Sequence, residues 1–266
     1  MFMSNSEFLS LKLRSFYEKS GLSFCRVKPF EDYDFYADKK DFLTSNSILS
    51  FTDLNGKLMA LRPDVTLSVI KRGIAGKFFY DEKVYRPDEN SSSFTEINQT
   101  GVEFLGDLSD DDLILLVRLA LKTLEIISDG RDFLLDTADA QLFLRTLDGV
   151  STARRHAILR CMMRRDYHGL EELEAPNETV EILKGSRKSE RLGRIIKASG
   201  GDNKIREDYS ALMNVNYYSG IVLKGYIEGF GRCVISGGEY DGMLRGMKSS
   251  FRNGAGFGVY VQESAE

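Results

Sequence analysis

The sequence predicts an α+β fold in which an antiparallel sheet is flanked by helices and carries a helical insertion. Segments rich in aromatic and β-branched residues occur early and late in the chain, the dipeptide Asn55-Gly56 is typical of a hairpin, and Ala138 to about Gly200 is almost wholly helical in character. Strands on both sides of a helical middle indicate an antiparallel sheet. The expected parts are a first part of the core at residues 1–137, the helical insertion at 138–205 and a last part of the core at 206–266.

The first elements are a helix and a hairpin. Phe8, Leu11 and Phe16 recur near helical spacing, and Gly21 follows as the expected C-cap. Short apolar runs on either side of Asn55-Gly56 predict two antiparallel strands.

Two longer strands and a helix follow. Lys77 to Arg86 is aromatic and β-branched enough for a strand, and Thr95 to Gly106 alternates well enough for another. After Ser109, apolar residues recur at helical spacing as far as Leu124, and acidic residues occupy the first turn, where the helix dipole favours them.

The rest of the chain alternates between the two types of element. Asp132 to Asp136 is typical of a central strand and precedes the helical middle. Strand character returns from Asn216 to Gly238, where a hairpin turning near Gly229 is predicted, and again from Ala255 to Val261.

Composition and charge exclude several classes of protein. With 36 Lys+Arg against 40 Asp+Glu, the net charge of -4 argues against nonspecific nucleic-acid binding. The three cysteines have no C-x-x-C spacing and are expected to be buried free thiols in a reducing compartment. His156 and His168 lie outside any metal-ligand pattern, which argues against a zinc hydrolase. Without a secretory signal or an apolar run near the roughly 20 residues of a spanning helix, a cytoplasmic protein with no membrane contact is expected.

The strand from Thr95 to Gly106 carries a polar face. Alternation places Gln99, Gly101 and Glu103 on the same side. Gln99 and Glu103 would then lie about 13 Å apart along the strand, a span that suits the two ends of a small amino acid. From this segment alone, a solvated sheet face is favoured over a ligand site.

Two further segments have both a functional and a structural interpretation. Asp64 and Thr66 lie beside Pro63 and can present a carboxylate and a hydroxyl to an ammonium ion. The same pattern also fits a helix start that Asp64 caps. The segment from Gly237 to Gly242 allows a ligand to approach the backbone closely, or forms a turn that simply needs glycine.

These segments, in this order, resemble the core of histidyl-tRNA synthetase and its paralogue, the regulatory subunit of ATP phosphoribosyltransferase. The resemblance is carried by LRPDVT (61–66), KVYRPDENSSSFTEINQTGVEFLGD (83–107), NYYSGIVLKGY (216–226), ISGGEYDGML (235–244) and AGFGVYV (255–261). It covers most of the chain and implies the antiparallel sheet of class II aminoacyl-tRNA synthetases. It also implies a dimer formed through the first long helix and its neighbouring strand.

The resemblance implies a pocket for histidine. By position, the residues expected to bind it are Asp64, Thr66, Arg86, Gln99, Glu103, Tyr217, Tyr218, Gly238 and Tyr240. In this assignment Asp64, Thr66 and Gln99 hold the α-amino group, and Glu103 and Tyr218 hold the imidazole nitrogens. Such a set is chemically suitable because an ammonium ion needs acceptors and an imidazole needs complementary polar partners.

Departures from the synthetase pattern concern the nucleotide. Arg86 matches the motif 2 arginine, but Met213 to Asn216 stand where the synthetase has Arg-Gly-Leu-Asp, so the arginine that neutralises the adenylation site is missing. The motif 2 loop at Asn90 to Ser93 has no basic residue, and the ATP-binding arginine of motif 3 is absent before Glu266. Since loss of one such donor lowers a rate by about 10²–10³, adenylation is not expected. No anticodon-binding domain is expected either.

The implied function is that of a noncatalytic regulatory subunit of ATP phosphoribosyltransferase, without a cofactor or a metal. It would combine with a short-form catalytic subunit, activate it and convey feedback by histidine in the first step of histidine biosynthesis, as a homodimer within a hetero-oligomer. Histidine would act in the synthetase-like pocket or at the subunit interface, and both remain open. Two alternatives also remain: an enzyme that forms an aminoacyl-adenylate from histidine, and a freestanding histidine-binding module.

Two charged stretches are interpreted separately. A basic helical stretch contains Arg154, Arg155, Arg160, Arg164 and Arg165. It is predicted to be a solvated face, a contact with an acidic partner or a remnant of RNA affinity. The charged helix from Lys184 to Lys197 is expected to be plain surface.

Overall fold

The computed structural model describes residues 5–39, 43, 48–88, 93–201, 203–212, 217–247 and 249–260. The chain divides into two compact units, one formed by Met1–Leu108 and Gly242–Glu266 and the other by Ser109–Asp241. Each unit combines strands and helices, as the predicted α+β class requires. The separate expectation of an insertion bounded by 138 and 205 stays a prediction.

The elements follow the predicted order. The helices are α1 (Asn5–Lys19), α2 (Tyr33–Ala37), α3 (Val65–Arg72), α4 (Asp110–Ser128), α5 (Ala140–Arg145), α6 (Thr152–Arg164), α7 (Tyr167–Glu172), α8 (Asn177–Leu183), α9 (Glu190–Ser199) and α10 (Asp241–Gly246). The strands are β1 (Ser23–Phe24), β2 (Phe30–Asp32), β3 (Ser50–Thr52), β4 (Leu58–Leu61), β5 (Gly76–Pro87), β6 (Phe94–Gly106), β7 (Phe133–Asp139), β8 (Ile205–Glu207), β9 (Ile221–Ile227), β10 (Ile235–Glu239) and β11 (Asn253–Tyr260).

The first unit is built around the antiparallel strands β5, β6 and β11, with β1 parallel to β5. Strand β6 lies between the other two long strands, so that Glu103 pairs with Phe78 on one side and with Gly256 on the other. The hairpin predicted around Asn55-Gly56 is confirmed, because β3 and β4 pair antiparallel across it.

In the second unit, β9 pairs antiparallel with both β7 and β10, and β8 runs parallel to β7. The predicted hairpin near Gly229 is confirmed, and Gly229 has a φ of 83°, which glycine adopts without strain. Helix α4 starts with a capping box between Ser109 and Asp112, which satisfies backbone groups at its exposed end.

The predicted helical middle is present as α5 to α9. These helices pack around buried apolar side chains that include Phe143, Ile158, Met162 and Leu170. None of the helices in the described part of the chain combines the length and the apolarity that crossing a membrane requires.

Candidate functional site

The polar face of β6 lies inside the first unit. Gln99 is 4% exposed and Glu103 is 1% exposed. The interpretation of this strand as a solvated sheet face is therefore wrong. Burial of a carboxylate and an amide on the same strand requires partners, because an unpaired buried polar group costs about 1–3 kcal/mol.

Glycines on β6 and β11 make room for these side chains. A Cβ atom added to Gly256 would lie 2.1 Å from Oε2 of Glu103, and one added to Gly258 would lie 2.3 Å from Nε2 of Gln99. At Gly101 an added Cβ would lie 2.3 Å from the hydroxyl oxygen of Tyr80. The three glycines thus leave space on one face of the sheet for polar groups.

Helix α3 brings Asp64 and Thr66 to this face. Asp64 caps the helix by accepting a hydrogen bond of 3.0 Å from the backbone N–H of Leu67, as the helix-start interpretation predicted. Thr66 donates its hydroxyl to Oε1 of Glu103 at 2.5 Å. Burial raises the pKa of Asp64, although the charge of Arg86 opposes this effect.

Arg86 is held beside the start of α3. Its Nε donates to the backbone oxygen of Pro63 at 2.9 Å, and its Nη1 donates to the hydroxyl of Tyr260 at 3.2 Å. Its Nη2 lies 3.9 Å from Oδ2 of Asp64. The first unit therefore places a guanidinium and a carboxylate next to each other, as recognition of an amino acid's two charged ends requires.

Gln99 has a buried acceptor. Its Oε1 atom accepts no hydrogen bond from any residue that the structure describes. Since buried amide oxygens are nearly always paired, this atom is suited to accept an N–H from a bound molecule.

The remaining predicted residues come together in the second unit. The rings of Tyr217 and Tyr218 have centroids 4.8 Å apart, and those of Tyr217 and Tyr240 have centroids 6.4 Å apart. Gly238 has a φ of 149°, and a Cβ added there would lie 2.9 Å from Cδ1 of Tyr218. A side chain at position 238 would displace the tyrosine, so glycine is required for close packing as well as for backbone geometry.

A charge pair in the second unit was missed in the sequence. Glu239 accepts two hydrogen bonds of 2.9 Å from Arg191, which lies on α9, and one of 2.6 Å from the backbone N–H of Ile221. Nε of Arg191 also donates to Asp110 at 2.9 Å. The predicted helix from Lys184 to Lys197 is wrong in its first part, because α9 begins only at Glu190. Its interpretation as plain surface is wrong for Arg191, which orients a residue next to Gly238 and Tyr240.

Two further features of the site were missed, the burial of Glu103 and the contact between Tyr260 and Arg86, although the first has a signal in the sequence. The alternating glycines of β11 indicate a face with room for larger neighbours, and they could have predicted the burial of Glu103. The contact of Tyr260 with Arg86 has no comparable signal in the sequence.

Some residues on which the predictions depend lie outside the described residues. These are Met213 to Asn216, residues 90 to 92 of the motif 2 loop and Gln262 to Glu266.

Two arginines of the basic helical stretch form hydrogen bonds with the backbone of the second unit. Arg154 donates to the backbone oxygens of Leu173 and Glu174, and Arg155 donates to that of Leu147. These contacts make a freely solvated face an incomplete description of the stretch.

The site can be compared with known proteins. The family model described as histidyl-tRNA synthetase matches residues 3–185 and 174–263 of the chain. The ATP phosphoribosyltransferase regulatory subunit of Thermoanaerobacter pseudethanolicus is 26% identical over 303 residues, which cover 95% of this chain and 76% of that protein. The subunit of the same name from Clostridium novyi is 23% identical and covers 97% of this chain and 71% of that protein.

Solved structures share the fold. A Bacillus halodurans protein described as an ATP phosphoribosyltransferase regulatory subunit/histidyl-tRNA synthetase superposes with a TM-score of 0.78 at 18% identity, over 96% of this chain and 76% of that chain. A chain of the ATP phosphoribosyl transferase complex from Thermotoga maritima gives a TM-score of 0.74 at 17% identity, over 98% of this chain and 99% of that chain. This likeness confirms the predicted class II synthetase-like fold.

Proposed function

The chain belongs to the histidyl-tRNA synthetase family, and on that premise we propose that it is a noncatalytic regulatory subunit of ATP phosphoribosyltransferase. The observation that carries the proposal is the buried carboxylate of Glu103, held by Thr66 on a sheet face that glycines keep open. Relatives that bear this subunit's name match nearly the whole chain.

The first unit has the groups that one end of a free amino acid needs. Gln99 and Asp64 provide oxygen acceptors for an ammonium group, and Arg86 provides donors for a carboxylate. Glu103 can accept an N–H from an imidazole ring. In the second unit, the residues that the family resemblance assigns to histidine are Tyr217, Tyr218, Gly238 and Tyr240, and this assignment stays a prediction.

The sequence lacks the groups that activation of an amino acid by ATP needs. Methionine occupies position 213, and the loop Asn90 to Ser93 has no basic side chain. An uncharged thioether cannot neutralise a phosphate, so a triphosphate would lose electrostatic stabilisation at the reacting centre. Binding of histidine without its activation is the property that a sensor requires.

Regulation requires a partner and a difference in affinity. The proposed partner is a short-form catalytic subunit in the cytoplasm, and the proposed assembly contains this chain as a homodimer. Histidine inhibits if it binds the less active state of the assembly more tightly, and a coupling of about 1–3 kcal/mol corresponds to 5–150-fold inhibition.

The test is reconstitution. The purified chain, mixed with a short-form catalytic subunit, should form a larger complex on a sizing column, raise its turnover and make it sensitive to histidine. Two separate peaks with unchanged turnover would reject the proposal. If calorimetry still detected histidine binding in that case, a freestanding binding module would replace it.

A second assay addresses the enzymatic alternative. Histidine-dependent exchange of labelled pyrophosphate into ATP is expected to be absent, both for the chain alone and for the complex. Exchange above the background of a histidine-free reaction would instead identify a synthetase-like enzyme.

A further inference from the structure

The second unit contains a cavity that the histidine site does not use. Its volume is about 550 Å³, within the range of about 300–1,000 Å³ that is typical of small-molecule sites. It lies between the helices α6 to α8, the segment that joins α8 to α9, and strand β8 with the turn that follows it. All of its lining residues belong to the second unit.

The floor of the cavity is apolar. Its side chains are buried and come from separate elements: Met162, Leu170, Ile182, Ile205 and Tyr209. Such a floor favours a ligand with a flat or apolar body, because contact with it removes apolar surface from water.

The wall of the cavity is cationic. Five basic side chains line it, against the two acidic side chains of Glu207 and Asp208. The basic residues are Arg165, Lys184, Arg187, Lys188 and Arg206. A wall on which basic side chains outnumber acidic ones favours binding of an anion.

Both acidic groups have hydrogen-bond partners within the unit. Asp208 pairs with Arg165 and lies 3.4 Å from Arg206, which also binds Asp136 through two hydrogen bonds of 2.8 Å. Glu207 accepts a hydrogen bond of 3.1 Å from the hydroxyl of Tyr209. Arg165 and Arg206 are thus paired with carboxylates, and the other basic side chains of the wall lie in the segment between α8 and α9.

That segment presents three cations over a short distance in sequence. Lys184 and Lys188 are exposed, and neither forms a salt bridge with a carboxylate of the residues that the structure describes. Arg187 contacts Glu178 at 2.9 Å, and the Glu178 side chain is itself 58% exposed. A phosphate group carries about -1.5 to -2 charges and accepts several hydrogen bonds, so it matches these three side chains.

We propose that this cavity binds a nucleoside monophosphate, with the phosphate at Lys184, Arg187 and Lys188 and the base against the apolar floor. Inorganic phosphate would use the wall alone, and a nucleoside would use the floor alone. A nucleoside monophosphate has both parts and can therefore contact the wall and the floor together.

The test is calorimetric titration of the full chain with AMP, inorganic phosphate and adenosine. AMP should bind, and phosphate and adenosine should each bind at least tenfold more weakly. In the double variant Lys184→Ala/Lys188→Ala, AMP should bind at least tenfold more weakly, and higher salt should weaken binding to the unaltered chain. Lys197→Ala, which removes an exposed lysine of α9 outside the cavity, is the matched control and should bind AMP like the unaltered chain.

Three outcomes would overturn the proposal. The first is the absence of heat from AMP at millimolar concentration. The second is equal AMP affinity in the double variant and in Lys197→Ala, which would locate AMP elsewhere on the chain. The third is phosphate binding as tight as AMP binding, which would exclude any role of the apolar floor.

Discussion

Thr66 donates its hydroxyl to the carboxylate of Glu103 at 2.5 Å, although one residue lies in the first turn of α3 and the other in the middle strand of the first unit. The hydroxyl occupies Oε1 and leaves the carboxylate's other oxygen beside Gly256. The contact therefore orients Glu103 across the space that the glycines leave. It also ties the start of the helix to the sheet.

Replacement of Glu103 by glutamine should weaken histidine binding without preventing folding. The amide keeps the size and can still accept from Thr66, but the charged acceptor for an imidazole N–H is lost, and hydrogen bonds to charged groups contribute about 1.5–3 kcal/mol. At 100 times the dissociation constant, histidine should stabilise the unaltered chain by about 2.7 kcal/mol, and a tenfold loss of affinity reduces this to about 1.4 kcal/mol. Thermal unfolding with and without histidine measures the difference.

Glu96→Gln is the matched control, because Glu96 lies on the same strand with its side chain 44% exposed and contacts Lys83. It should retain the full shift in melting temperature. An identical shift in both variants would remove Glu103 from the histidine site.

Replacement of Gly256 by alanine should destabilise the first unit by about 1–3 kcal/mol, the usual range for an overpacked interior. The added Cβ would lie 2.1 Å from Oε2 of Glu103 and 2.4 Å from the backbone oxygen of Val102, and the backbone atom cannot move aside. Urea unfolding measures the loss. Gly193→Ala on α9 has no atom within 4 Å of the added Cβ and should instead stabilise by about 0.5–1 kcal/mol. Equal effects at the two glycines would contradict the packing argument.

The face of β6 could be predicted because strand alternation is a local property of the backbone. Gln99 and Glu103 share a face in any sheet, whatever its surroundings. Their burial could not be predicted from that segment, since it depends on β11, which pairs with β6 from the far end of the chain. Unlike this burial, the hairpin at Asn55-Gly56 was predictable, because its two strands are close together in the sequence.

Contacts between polar residues that lie far apart in the sequence could not be predicted. Arg191 and Glu239 each have polar neighbours in the sequence, and nothing in those neighbours distinguishes the two residues from ordinary surface residues. Only the tertiary structure brings them together. Arg86 was found through its motif, whereas its hydroxyl partner Tyr260 has no local signature.

Arg62 should be among the most important stabilising residues of the first unit. It is 1% exposed, and it donates to the backbone oxygens of Val27, Lys28 and Lys83 and to the carboxylate of Glu82. Arg62→Met would leave these acceptors without a donor, and loss of one partner of a buried ion pair costs about 3–5 kcal/mol.

The measurement is urea unfolding, from which the midpoint and the slope of the unfolding free energy against urea concentration are obtained. Lys122→Met, at an exposed ion pair with Glu125 on α4, is the control and should change the midpoint little. An equally small change in the midpoint for Arg62→Met would show that the hydrogen bonds of Arg62 to the backbone are not needed for folding.

Tyr36 should make stability depend on pH in the alkaline range. The side chain is 0% exposed, and burial raises the pKa of its hydroxyl to about 12 from a usual value of 10.0. The unfolded chain therefore ionises at this residue before the folded chain does, so the contribution is complete below pH 10 and is lost as the pH rises to about 12.

Tyr36→Phe lacks this ionisation, although it also loses the hydrogen bond of 3.1 Å between the hydroxyl and Ser68. The unfolding free energy of the unaltered chain minus that of the variant should fall from pH 9 to pH 12 by a total of about 2–3 kcal/mol, at 1.36 kcal/mol for each unit of pKa. Because other tyrosines ionise in both proteins, only this difference is informative. A difference that stayed constant with pH would show that Tyr36 ionises equally in the folded and unfolded chains.

Arg191→Lys should destabilise the second unit by about 1 kcal/mol, because an ammonium cannot form the two parallel hydrogen bonds that the guanidinium gives to Glu239. This is below the full range for charged hydrogen bonds, since the Arg191 side chain is 33% exposed and water screens the pair. Arg194→Lys on the same helix is the control, because Arg194 is 67% exposed and only approaches Asp110 at 3.8 Å. Lysine keeps the positive charge but lacks the planar guanidinium. The free energies of unfolding of both variants in urea therefore show the effect of the guanidinium geometry apart from that of the charge. If Arg191→Lys were as stable as Arg194→Lys, the charge alone would suffice to hold Glu239 beside Gly238.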